Sequence, residues 1–118
     1  MTIEEFLIAE LGAHGIPAFA YRPDADGAPG RFAVVQRVGG GSEPYYDEPI
    51  VAVDSYAGGR AGAASLAQEV DRVVMATADT CDLISHVDRD SLYHEPDDYP
   101  GDRYQATYQL ISFLDCEE

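Results

Sequence analysis

The sequence predicts an α+β fold: a mixed, mainly antiparallel sheet of about five strands with two helices packed on one face. Three observations predict it. Two stretches, Ile3–His14 and Arg60–Ala78, repeat apolar residues at helical spacing. Five shorter stretches are rich in β-branched and aromatic residues and end at glycine, proline or aspartate. Consecutive strands joined by loops imply antiparallel hairpins, with the helices gathered on one face. The order read along the chain is α-β-β-β-α-β-β. At 118 residues the chain suits one domain over 1–118.

The first helix opens on a capping box, with Thr2 as N-cap and Glu5 three residues on. Ile3, Phe6, Leu7 and Leu11 share its apolar face, and Gly12, Gly15 and Pro17 mark its end. "PAFAYR" at 17–22 reads as a short strand, followed by turn chemistry in "PDADGAPG" at 23–30. Arg31–Val38, "RFAVVQRV", is a strand in which Phe32, Val34 and Val38 oppose Ala33, Val35 and Arg37. A loop over Gly39–Glu48 then leads to the strand Pro49–Ala57, with Val51, Val53 and Ser55 on one face and Ile50, Ala52, Asp54 and Tyr56 on the other.

Arg60–Ala78 carries the strongest periodicity in the chain. Ala63, Leu66, Ala67, Val70, Val73, Val74 and Thr77 line one face, and Gln68, Glu69, Asp71 and Arg72 face water. Leu83–Arg89 reads as a strand of poor alternation and Tyr93–Asp102 as a loop. Arg103–Leu114 is a strand with Tyr104, Ala106, Tyr108 and Leu110 on one face, its phase disturbed by a bulge near Ile111 and Phe113.

Charge narrows the function classes. The chain has 22 acids against 7 bases, no lysine, and a net charge of -15. No cationic surplus exists to neutralise phosphates or to hold an anionic membrane. No apolar run approaches the roughly 20 residues a membrane span needs. The acidic start is unlike a signal peptide, so folding is expected in a cytoplasm. Cys81 and Cys116 form no metal-binding or redox motif and read as reduced thiols.

No catalytic, cofactor or metal site stands out. The triple glycine at 39–41 leads into a strand and is followed by no lysine, which excludes a P-loop. Gly58-Gly59-Arg60-Ala61-Gly62 stands between a strand and a helix but matches no nucleotide fingerprint. His86 beside Asp88 and Asp90, and His94 beside Glu95, Asp97 and Asp98, read as solvated acidic loops rather than metal sites. A set such as Ser55, His86 and Asp54 lacks a nucleophile elbow. The remaining candidate is a contact element: the loop Gly39–Glu48 with adjacent Tyr45 and Tyr46, read as the mobile tip of a hairpin.

Four stretches together carry a resemblance: "IEEFLIAEL", "RFAVVQRVGGG", "PIVAVDSYAGGRAGAASLAQEVDRVVMA" and "DSLYHEPDDYPGDRYQATYQLISF". The chain resembles the tail terminator (tail completion) proteins of long, non-contractile-tailed phages, particularly those infecting actinobacteria. The resemblance covers nearly the whole chain. It implies a non-enzymatic virion protein, without cofactor, located at the head–tail junction. Such subunits form a hexameric ring that caps the tail tube, ends its growth and meets the head-side connector. It further implies three kinds of partner: copies of itself, the major tail tube protein and the connector or stopper protein. DNA passes through without specific binding. Arg37, Gly39, Gly40, Gly41, Tyr45, Tyr46 and Asp47 are then the expected contact residues toward a neighbouring subunit or the tube. Another neck protein, or an acidic mimic of DNA, is the alternative.

Overall fold

The computed structural model describes residues 1–95, 99 and 101–114. It contains α1 (Ile3–Ala13), β1 (Ala18–Phe19), a single 3-10 turn at Ala25–Gly27, β2 (Arg31–Ser42), β3 (Asp47–Ala57), α2 (Arg60–Thr80), β4 (Ile84–His94) and β5 (Asp102–Ser112). The α+β class and the element order agree with the sequence. The sheet order is β1-β2-β3-β5-β4; β1 pairs with β2 in parallel and every other pair is antiparallel.

The topology follows from element lengths. Helix α2, at about 1.5 Å per residue, returns the chain by about 31 Å, close to the length of the 11-residue strand β3. The chain therefore re-enters the sheet parallel to β3, and β5 fills the gap between β3 and β4.

Both helices pack on one face. Ile3, Phe6, Leu7 and Leu11 of α1 and Leu66, Val70 and Val74 of α2 meet Val35, Val51, Val53, Tyr108 and Leu110 of the sheet. The capping box forms as its residues dictate: Glu5 N–H donates to Thr2 Oγ1 at 3.1 Å and Thr2 N–H to Glu5 Oε1 at 2.7 Å. On the opposite face Phe32, Val34 and Tyr56 form a second cluster, with Phe32 stacked on Tyr56 at 4.9 Å and Tyr99 edge-on to both. This explains why Phe32 to Val35 are all buried: β2 has apolar contacts on both faces.

Several boundaries move. The strand expected at 17–22 pairs only through Ala18 and Phe19, and Arg22 instead sets its guanidinium 4.7 Å over the Tyr99 ring. β4 runs on to His94, into the segment expected to be loop. The bulge expected near Ile111 lies in the partner strand: β4 shifts register between Ile84 and His86 and again between Arg89 and Ser91. Asp71 does not face water. Its carboxylate accepts from the buried Tyr108 hydroxyl at 3.0 Å and from Arg89 at 3.0 Å, tying α2 to the sheet.

Candidate functional site

The candidate contact segment lies at one end of the sheet, and its glycines belong to a strand. Gly39, Gly40, Gly41 and Ser42 pair with Ile50, Pro49, Glu48 and Asp47, so the expected ten-residue loop shrinks to the turn Glu43–Tyr46. The mobile glycine tip is thus corrected to a paired strand end. Cross-strand pairing supplies what a loop lacks, and a bulge between Arg37 and Gly39 absorbs the change of phase. The same bulge turns Val38 outward, where it is 59% exposed. Gly40 has φ +95°, and an added Cβ would overlap the Glu48 carbonyl oxygen, so this position requires glycine. Gly41 has open space around it and no such constraint.

Arg37 braces this end. Its guanidinium donates to both Asp47 carboxylate oxygens, at 2.6 and 3.0 Å. It also donates to the carbonyls of Gly39 at 3.1 Å and Gly41 at 3.4 Å. Those carbonyls are two residues apart and face the same side of the strand. Asp47 accepts in addition from Ser42 Oγ at 3.0 Å and Glu48 N–H at 3.1 Å. The Arg37 hydrogen bond holds the Asp47 carboxyl below the usual carboxylate range, and the same bond raises Arg37. Glu4 of α1 accepts from the Arg37 backbone N–H at 3.1 Å. β1 pairs with β2 only at Ala33 and Val34, so Glu4 and Arg37 occupy polar groups on an otherwise uncovered strand edge.

The turn beyond the brace presents aromatic rings. Glu43 N–H donates to the Tyr46 carbonyl at 2.8 Å and closes the turn. Tyr45 is 81% exposed at its tip. Tyr46 is half-buried, its ring 6.2 Å from that of Phe113. Phe113 N–H donates to the Leu83 carbonyl, which places Leu83 and Phe113, both partly exposed, at the same end. Of the seven expected contact residues, Arg37 and Asp47 thus support the turn internally, Gly40 shapes it, and Tyr45 is its outermost group.

Other sequence candidates are not assembled into sites. Ser55 is buried opposite Tyr104, whereas His86 is exposed opposite Ile111 and bonded to Asp88 at 2.9 Å. Asp54 is engaged elsewhere: it accepts from Gln105 at 2.8 Å and Arg103 at 3.3 Å. Gln105 in turn accepts from the Tyr93 hydroxyl at 2.8 Å. This polar network on the helix-free face was not legible in sequence, because Asp54 lies about fifty residues from Arg103 and Gln105 and the four residues share no motif. His94 stands 3.3 Å from Asp102. Asp97, Asp98 and Cys116 lie outside the described residues. Among the described residues no group of three or more His, Cys, Asp or Glu is placed to hold a metal ion, and no helix is long and apolar enough to cross a membrane. Gly59 caps α2 without a side-chain hydrogen bond, and Cys81 is a half-buried free thiol.

No family model matches the chain, and no curated protein matches it either.

Proposed function

We propose that this chain is a structural ring subunit of the phage tail-terminator type. Copies assemble into a ring, hexameric by resemblance. The ring caps the finished tail tube, ends its polymerisation and offers its other side to the head-side connector. The observation that carries the reading is the braced sheet end: a short turn, tied at its base by Arg37 and Asp47, holding the Tyr45 ring out to solvent. Exposed aromatic groups on a preorganised support are what protein docking uses, because little side-chain freedom is lost on binding. The sequence resemblance supplies the class of partner.

The charge fits the same role. A ring of subunits at -15 each surrounds its channel with negative potential, and DNA is repelled from the wall as it passes. The acidic-mimic alternative is less well supported. Such a mimic needs carboxylates ranged free along a face, whereas Asp47, Asp54, Glu69 and Asp71 are all bonded within the chain.

The test is direct. The purified protein is imaged by negative-stain microscopy and added to tail tube protein polymerising in vitro. Rings with a central hole and shortened, capped tubes are the expected result. Particles that never form rings, together with tube lengths unchanged by the protein, refute the proposal.

A further inference from the structure

We infer that the ring contact is made by Tyr45 of one copy entering the groove between α2 and the turn that follows α1 in the next. The inference rests on the ring reading above and names its interface. The groove has a volume of about 250 Å³ and is lined by His14, Ile16, Glu69, Arg72, Val73 and Ala76. That is below the roughly 300–1,000 Å³ of small-molecule sites and suits one inserted side chain.

Charge selects a second copy as the occupant. The Tyr45 turn carries exposed Glu43, and Asp82 is exposed beside Leu83 at the same sheet end. Arg37, at the base of that turn, is committed to Asp47. The groove is the opposite case. Its Glu69 is hydrogen-bonded by Arg31 at 2.9 Å and also feels the charge of Arg72, so two cations face one carboxylate; Arg72 is exposed and makes no hydrogen bond or ion pair with a described residue. An acidic, aromatic tip therefore exists on the same molecule as a slot that combines Ile16, Val73 and Ala76 with an exposed cation, Arg72. Tyr45 entering that slot comes beside Arg72, a favourable partner for an aromatic face, and Glu43 comes beside the same charge. The two surfaces differ, so the contact is heterologous and propagates head to tail until rotation closes a ring.

The like charge of the copies adds a second signature. Two bodies at -15 repel over a screening length of about 30 Å at about 0.01 M salt, but only about 8 Å at about 0.15 M. Assembly through this short-range contact therefore strengthens as salt is added over that range.

The experiment measures self-association by light scattering after size exclusion at both salt concentrations. It compares the wild type, Tyr45→Ala, Arg72→Glu, and Glu43→Arg combined with Arg72→Glu. All three positions are exposed, and circular dichroism checks that each variant folds. The wild type is expected to assemble, and to do so better at the higher salt. Tyr45→Ala and Arg72→Glu each weaken association about tenfold or more, and the charge swap recovers about threefold or more of the Arg72→Glu loss by reversing the pair with Glu43, short of wild type because the cation beside Tyr45 is not restored. Variants that form rings as readily as wild type overturn the docking pair and leave the ring reading intact. A Tyr45→Ala protein that forms rings but no longer caps tubes assigns Tyr45 to the tube and overturns it too. Wild-type protein that stays monomeric at both salt concentrations removes the contact. Rings that depend on Tyr45 and Arg72 but leave tubes uncapped keep the contact and remove the terminator reading.

Discussion

Breaking the Arg37–Asp47 brace should loosen the sheet end without unfolding the core. The pair is bidentate, with side chains only 30% and 15% exposed, so it is shielded far better than an ordinary surface ion pair. Hydrogen bonds to charged groups contribute about 1.5–3 kcal/mol each to stability. Arg37 keeps two carbonyl acceptors after Asp47→Ala and has some access to water, which places the coupling near the lower end, about 2 kcal/mol. For a chain of this length that lowers Tm by about 8 °C. The assay is a double-mutant cycle of Asp47→Ala and Arg37→Ala, followed by thermal melts. Its pH dependence has a definite sign. The folded-state pKa of Asp47 is depressed by Arg37, so the contribution is present above the unfolded carboxylate value of about 3.9 and is lost as pH falls through the folded value. Coupling of about 2 kcal/mol at pH 7 should therefore fade in strong acid. Coupling below about 0.5 kcal/mol at pH 7, or coupling unchanged by acid, refutes the brace.

Three further outcomes are expected. Gly40→Ala should cost about 3 kcal/mol in chemical denaturation, from its positive φ and the overlap with the Glu48 carbonyl, while Gly41→Ala stays within about 1 kcal/mol; equal effects at the two glycines would contradict the pairing described. Val70→Asp puts a charge into the centre of the helix–sheet interface and should unfold the protein, which a circular dichroism spectrum of wild-type shape would exclude. Tyr108→Phe removes a buried donor to Asp71 and should cost about 1.5 kcal/mol, measured by denaturant midpoint. The wild-type Tyr108 phenol is held above its ordinary range by burial and then by the Asp71 charge. Its stabilising effect is whole below the unfolded phenol value of about 10 and is lost as pH rises beyond it, so the alkaline loss of stability should be shallower in Tyr108→Phe.

Local physics is written in the sequence wherever the deciding contacts are close along the chain. Thr2 and Glu5 specify the start of α1 because both halves of the capping box lie within four residues. The apolar stripe from Ala63 to Thr77 specifies α2, and the alternation along β3 sets apart Val51 and Val53, which join the main core, from Tyr56, which is buried on the other face. These patterns were enough for the α+β class and the element order, whereas the adjacent Tyr45 and Tyr46 read alike in sequence and only the folded turn exposes the first and half-buries the second.

Tertiary structure decided what depends on partners distant in sequence. A strand forms over Gly39–Gly41 because β3 lies alongside and Arg37 reaches back to their carbonyls; the glycines themselves favour a loop. Asp71, polar on a helix and therefore read as solvated, is drawn inward by Tyr108 and Arg89 from two other strands. Asp54 finds Arg103 and Gln105 only because β5 inserts next to β3. Composition alone set the charge and the absence of lysine. Which carboxylates are bound and which remain free to meet a partner was settled by strand pairing, since an ion pair depends on distance in space, and the fold alone sets that distance.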